Sequence, residues 1–474
     1  MGILSKKLTE YSKSDIYPYH MPGHKRNAVG GQPKEWTAFD ITEIEGFDNL
    51  HQPEGVLKKM QEDAAIAYGA EESFYLVNGS TCGILSAISA AVSFGGELLI
   101  ARNCHKSVYH AAYLRHLTLR YIYPQIVEEY NICEAVTPGK VREALEKYPQ
   151  VGAVLIVSPT YEGRIADVEE IAKVVHERGL PLIVDEAHGA HLGFAEEFSL
   201  NSCRLGADLV INSLHKTLPS MTQTALLHCN GKRVDRELVK RFLNIYQTSS
   251  PSYVLMASME EAICQTLNKQ EVFHEFVKHW KDMLARLQAC KNIRILPVDY
   301  AECEENKHDI GKLVLSVNGT GLSGQQFYDI LLERYHLQLE MACDSFALAM
   351  FTVGDSREGY ERLIQAVLEL DAEFGAGFVS DIGENTKEMV TMHACEGVVF
   401  HKAWDMEREY IPFTEAIGRM AGEFINLYPP GTPIAVPGER LSETIIGQLQ
   451  KYIQAGISVQ GINTEKQVCV LKEN

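Results

Sequence analysis

From Glu71 to about Asn230 the chain alternates short apolar runs with longer stretches of helical periodicity. The apolar runs are Phe74–Val77, Glu97–Ile100, Arg120–Tyr123, Ala153–Val157, Leu182–Val184 and Leu209–Ile211; helical stretches such as Val141–Lys147 and Asp167–Arg178 lie between them. Short apolar runs bounded by turn residues read as buried strands. Strands alternating with helices predict an α/β fold, a mostly parallel sheet with helices on both faces. Residues 1–55 are polar and rich in Pro and Gly, which predicts an irregular N-terminal arm. A helix is expected over Gly55–Tyr68, with Val56, Met60, Ala64 and Ala67 on one face. A long helical region from Tyr253 to Cys290 closes a large domain of residues 56–290 and leads into a smaller α+β domain, 291–374. A linker from Gly375 to Asn385 precedes a C-terminal domain, 386–474.

The polar motifs fall at the carboxyl ends of the expected strands, where sheets of this kind bind ligands. Leu182–Val184 runs into Asp185-Glu-Ala-His188, and Leu209–Ile211 runs into Asn212, Ser213, His215 and Lys216. One buried strand delivering an aspartate and another delivering a lysine is what pyridoxal phosphate requires: a Schiff-base lysine, and a carboxylate for the pyridinium nitrogen. Desolvation or a neighbouring cation makes such an amine nucleophilic. After Phe74–Val77 comes Asn78-Gly-Ser-Thr81, where Gly79 permits a tight turn and Ser80 and Thr81 can hold a phosphate at a helix N-terminus. His105, after the next strand, can stack on a planar cofactor, or it can simply cap a helix. Ser213 and His215 can reach the phosphate or the reacting carbon.

Composition narrows the class. An apolar fraction of 46% and a charged fraction of 23% are those of a soluble globular protein, and 474 residues call for two or three domains. The net charge of −19 gives no electrostatic footprint for nucleic acid. Eleven scattered cysteines without a CxxC pair suit reduced thiols in the cytoplasm. No signal-peptide h-region or membrane-length apolar run is visible. No metal site is expected, because the pairs His188/His191 and His105/His110 lack a second cluster.

The ordered set His24-Lys25, Gly79-Ser-Thr81, Asn103-Cys-His-Lys-Ser107, Pro159-Thr-Tyr161, Asp185-Glu-Ala-His188, Ser213-x-His-Lys216 and Pro437-Gly-Glu439 resembles the bacterial ornithine/lysine/arginine decarboxylases. The resemblance implies the aspartate aminotransferase fold (fold type I) and decarboxylation of a basic amino acid, arginine ahead of lysine and then ornithine. It also implies Lys216 as the Schiff-base lysine, Asp185 on the ring nitrogen, His105 over one ring face and Ala187 on the other. Ser80, Thr81, Ser213 and His215 would bind the phosphate, and Lys216 or His215 would return the proton. A partner subunit would complete the phosphate site through Ser249 or Ser250, which implies a homodimer. The large members' wing domain is missing ahead of residue 20, and His188 stands where they carry an aromatic residue; it is counted here with the cofactor contacts. Glu340, Asp344 and Glu439 are the candidate acids for the distal cation of the substrate. Rival readings are an aminotransferase or lyase of the same fold, with Arg357 or Arg362 holding a substrate carboxylate, and a non-catalytic cofactor binder. Ser213-x-x-Lys216 also fits a penicillin-recognising hydrolase, but its Ser-Asp-Asn and Lys-Thr-Gly companions do not occur.

Overall fold

The computed structural model describes residues 2–17, 20–22, 24–25, 37–127, 130, 132–268, 270–305, 307–343, 345–375, 397–427, 432–454 and 459–473. The chain forms two compact units, one from Met1–Ala91 with Val168–His274, the other from Val92–Asp167 with Glu275–Asn474.

In the first unit the strands Glu72–Leu76, Ala225–Cys229, Leu209–Asn212 and Leu182–Asp185 lie side by side in that order. The first two pairings are antiparallel; the last is parallel, with Asp185 opposite Ile211. Every residue of Leu182–Asp185 and Leu209–Asn212 is buried, as befits strands covered on both faces, and this is why they read as unbroken apolar runs. The helix Gly79–Ala91 packs on the helix Arg236–Tyr246. Ala225–Cys229 is a further, fully buried strand beyond the expected apolar runs.

The expected irregular arm contains a helix, Ile3–Ser12, which buries Leu4 and Leu8 one turn apart. Its first-turn N–H groups have no local cap. Glu260 accepts from Ile3, Leu4 and Ser5 instead, a partner so far along the chain that no sequence window reveals it. The helical region expected from Tyr253 to Cys290 is two helices, Tyr253–Asn268 and Gln270–Leu287, with Lys269 outside the described residues.

The second unit carries the strands Val151–Val157, Glu97–Ala101 and Thr118–Ile122 as parallel neighbours, Glu97–Ala101 in the middle. A separate antiparallel sheet has the order Arg294–Leu296, Lys312–Ser316, Phe346–Met350, Met341–Ala342. Toward the C-terminus Arg408–Pro412 pairs with Gln467–Leu471, and a core of Ile411, Ile425, Leu441, Leu449, Val468 and Val470 closes under the helix Glu443–Gln454. The expected linker falls largely outside the described residues.

Candidate functional site

Within the first unit, the strand ends bring together most of the residues the sequence singles out. Asp185 ends its strand at 4% exposure. Burial raises its carboxyl pKa, while the charge of Lys216 and the Ala187 N–H, 3.2 Å away, pull it back down. Ala187 and His188 are buried behind it. Lys216 sits in the short helix Leu214–Thr217, and its Nζ lies 3.0 Å from His188 Nε2. Ser213 caps that helix by position; its Oγ is fully buried without a hydrogen-bond partner among the described residues, as is Thr217 Oγ1. His215 Nδ1 lies 3.0 Å from the Thr224 carbonyl, which fixes the tautomer with its proton on Nδ1. Burial, and then the Lys216 charge, lower its pKa, so the ring stays neutral.

The turn Asn78–Thr81, the candidate phosphate site, follows the strand Glu72–Leu76. Gly79 adopts φ +72°, open to glycine and strained for other residues. Its N–H donates to Gln223 O at 2.9 Å, and the helix Gly79–Ala91 starts there with Ser80 and Thr81 in its first turn. Thr248 N–H donates to Asn78 Oδ1 at 3.1 Å, and the Val77 N–H donates to Gln247 Oε1 at 3.0 Å. The 247–250 segment is thereby anchored on this chain's own turn, with Ser249 and Ser250 exposed beside it.

The remaining candidates lie in the second unit. His105 is the N-cap of Lys106–Leu114 and accepts from the Ser107 N–H through Nδ1. Tyr161 donates its hydroxyl proton to exposed Glu340. Asp344 lies outside the described residues. Glu439 is engaged elsewhere: it is buried, accepts from Arg102 Nη2 at 2.9 Å and from the Val436 N–H at 2.9 Å. Arg102 is 0% exposed and also donates to the carbonyls of Pro433 and Ile434. Burial is the largest influence and opposes its charge, but Glu439 together with Tyr109, Tyr121 and Cys104 outweighs it and keeps the guanidinium charged. Of the two acids among the described residues, Glu340 is exposed and Glu439 is buried.

These residues fit pyridoxal phosphate. A buried carboxylate beside a lysine matches a cationic ring nitrogen and a Schiff-base amine. The buried, unpartnered Ser213 Oγ and the N-terminus of Gly79–Ala91 match an anionic phosphate. Sequence reasoning passed over Glu186, which carries both a buried carboxylate and contacts to the neighbouring strand end; its only signal was its place beside Asp185.

The solved constitutive lysine decarboxylase of Escherichia coli superposes with a TM-score of 0.84 at 19% identity, covering 100% of this chain and 82% of that one. It shares the fold, as does a Sphingomonas wittichii serine palmitoyltransferase at TM-score 0.53 and 15% identity over 67% of this chain and 77% of that one. An uncharacterized Bacillus subtilis protein, YaaO, is 34% identical over 97% of this chain and 95% of its own. A Bacillus subtilis arginine decarboxylase is 31% identical over 98% and 97%. Residues 3–308 match the Orn/Lys/Arg decarboxylase major domain and residues 384–468 the C-terminal domain of the same family. With both of its domains matched in order, the chain belongs to the Orn/Lys/Arg decarboxylase family.

Proposed function

We propose that this protein is a pyridoxal-phosphate-dependent decarboxylase of a basic amino acid, with arginine ahead of lysine and ornithine. The observation that carries the reading is the pairing of strand ends in one unit: Asp185, buried and within the field of Lys216, with His188 on the lysine amine. The arginine preference rests on full-length relatives from three Bacillus species and Halalkalibacterium named arginine decarboxylase, at 29–31% identity. Pyridoxal phosphate, when bound, supplies an electron sink for the pair released as the Cα–carboxylate bond breaks.

Each protein group has its own task. Lys216 would hold the cofactor covalently, and Asp185 would keep the proton on its ring nitrogen. Ser80, Thr81 and Ser213 would bind the phosphate; His105 and Ala187 would flank the ring. His188, 3.0 Å from Lys216 Nζ, is placed to take or return a proton at that amine. His215 is a neutral base at Nε2, because its Nδ1 proton is committed to Thr224 O. Glu340, exposed and accepting from the Tyr161 hydroxyl, would be the acid that takes the distal cation of the substrate. Soluble cytoplasmic placement agrees with the free cysteines and with no described helix being long and apolar enough to cross a membrane. A homodimer with Ser249 or Ser250 reaching a partner's phosphate site, and a role in polyamine supply, complete the proposal.

Product analysis tests it. The cofactor-loaded protein is incubated in parallel with arginine, lysine and ornithine. The expected result is carbon dioxide with agmatine as the fastest-formed amine. Cadaverine or putrescine in its place would reassign the substrate, and no amine from any of the three would sink the decarboxylase reading.

A further inference from the structure

Beyond Asp185 the parallel ladder between the two site-bearing strands makes one last backbone bond, from the Glu186 N–H to Ile211 O at 3.0 Å. Past that point side chains take over. Asn212 Nδ2 donates both to Glu186 O at 3.2 Å and to Glu186 Oε2 at 3.0 Å. The other carboxylate oxygen accepts from the Ser202 N–H at 2.8 Å and from the Ser202 hydroxyl. Glu186 is 1% exposed, and among the described residues its side-chain contacts are the hydrogen-bond donors of Ser202 and Asn212, with no basic side chain. A buried carboxylate lacking a cation is a costly choice if the only need is to fill space.

The segments it joins explain the choice. Glu186 follows Asp185 directly. Asn212 precedes Ser213, the first residue of the turn that carries Lys216. Ser202 belongs to the tight turns between the two strands. The carboxylate therefore fixes how far the turn bearing the lysine stands from the strand end bearing the aspartate. We infer that Glu186 is a positioning residue for the Asp185–Lys216 pair, acting through Asn212 and Ser202. The inference rests on the reading that this pair holds pyridoxal phosphate.

A glutamine should rescue the arrangement. It can keep accepting from Ser202. Its amide protons can be received by Asn212 Oδ1, which is buried and has no partner among the described residues, once the Asn212 amide turns over. A leucine of similar size removes every bond made by the Glu186 side chain and leaves only the Asn212 bond to the backbone carbonyl.

The test uses the full-length, cofactor-loaded protein and reads the Lys216-dependent visible absorbance of bound pyridoxal phosphate. Expected for Glu186→Leu is cofactor affinity weaker by about tenfold or more, a shifted pH midpoint of the band, and kcat reduced by about tenfold with KM changed less than about twofold. Glu186→Gln should stay within about threefold of wild type, and Ser202→Ala should move the same readouts in the same direction by less. A folded Glu186→Leu protein with a lower melting temperature but unchanged cofactor affinity and band midpoint would overturn the inference. If that variant does not fold, Ser202→Ala decides: unchanged readouts overturn the inference and shifted ones support it. A wild-type protein showing no Lys216-dependent band sinks the cofactor reading itself, a result distinguishable from either of these.

Discussion

Glu186 also leaves a mark on stability at the residue scale. Burial raises its pKa from 4.5 to about 7, against the pull of Ser202 and Asn212. The folded chain thus binds this proton more tightly than the unfolded chain. Its contribution to stability is fully present below about pH 4.5 and is lost as the pH rises through about 7. Tyr68 and Cys203 beside it stay neutral in that window, because burial and then the Glu186 charge raise both. Urea midpoints measured near both ends of the window should fall with rising pH in wild type and fall less in Glu186→Gln; equal slopes would assign the effect to another group. Lys216, Asp185 and Gly79–Thr81 were legible in the sequence because each follows an apolar run that announces a buried strand end. Glu186 was not, because its partners are set by which strands pair. Glu439 was legible as a motif, yet its task was not, since Arg102 lies 337 residues away.

At the scale of elements, two long-range carboxylates organise what local propensity leaves undone. Glu260 supplies the N-terminal helix with the cap its own sequence lacks. Glu260→Ala should loosen Ile3–Ser12 by about 1–2 kcal/mol, with faster amide exchange confined to that helix and its neighbours. The Arg102–Glu439 pair joins the loop before His105 to the segment 433–439 within the second unit. Removing one partner leaves a buried charge uncompensated, so Glu439→Ala should cost about 3–5 kcal/mol in a chemical melt. A change below about 1 kcal/mol would mean that water replaces the lost partner. The strands that read as apolar runs, and helices such as Val56–Tyr68, Pro138–Lys147 and Val168–His176, were readable from periodicity; the buried strand Ala225–Cys229 and helices such as Arg236–Tyr246 and Gly324–Tyr335 were not. The helix Ile3–Ser12 was not, since a ten-residue helix is marginal without tertiary packing and its packing partner is remote.

For the whole molecule, the chain order and the compact units do not coincide. Each unit is assembled from two separated stretches. A chain truncated after residue 290 keeps all of the first unit but removes 291–474 from the second, so the strands Glu97–Ala101, Thr118–Ile122 and Val151–Val157 would keep one another yet lose most of the rest of their own unit. Such a truncation should melt broadly, without the cooperative transition of the full chain, as followed by circular dichroism. The fold class was legible at this scale from alternation alone. The interleaving was not, because periodicity describes each element and is silent on which stretches collapse together.

The buried Arg102–Glu439 pair also sets a clock on synthesis. The ribosome releases the arginine 337 residues before its carboxylate. At about 5–20 residues per second, that is a wait of roughly 20–70 seconds. Throughout it the guanidinium must stay in water, and the loop leading to His105 cannot settle into its final packing. The second unit can therefore complete its buried core only after Glu439 has been made, however early its first strands emerge.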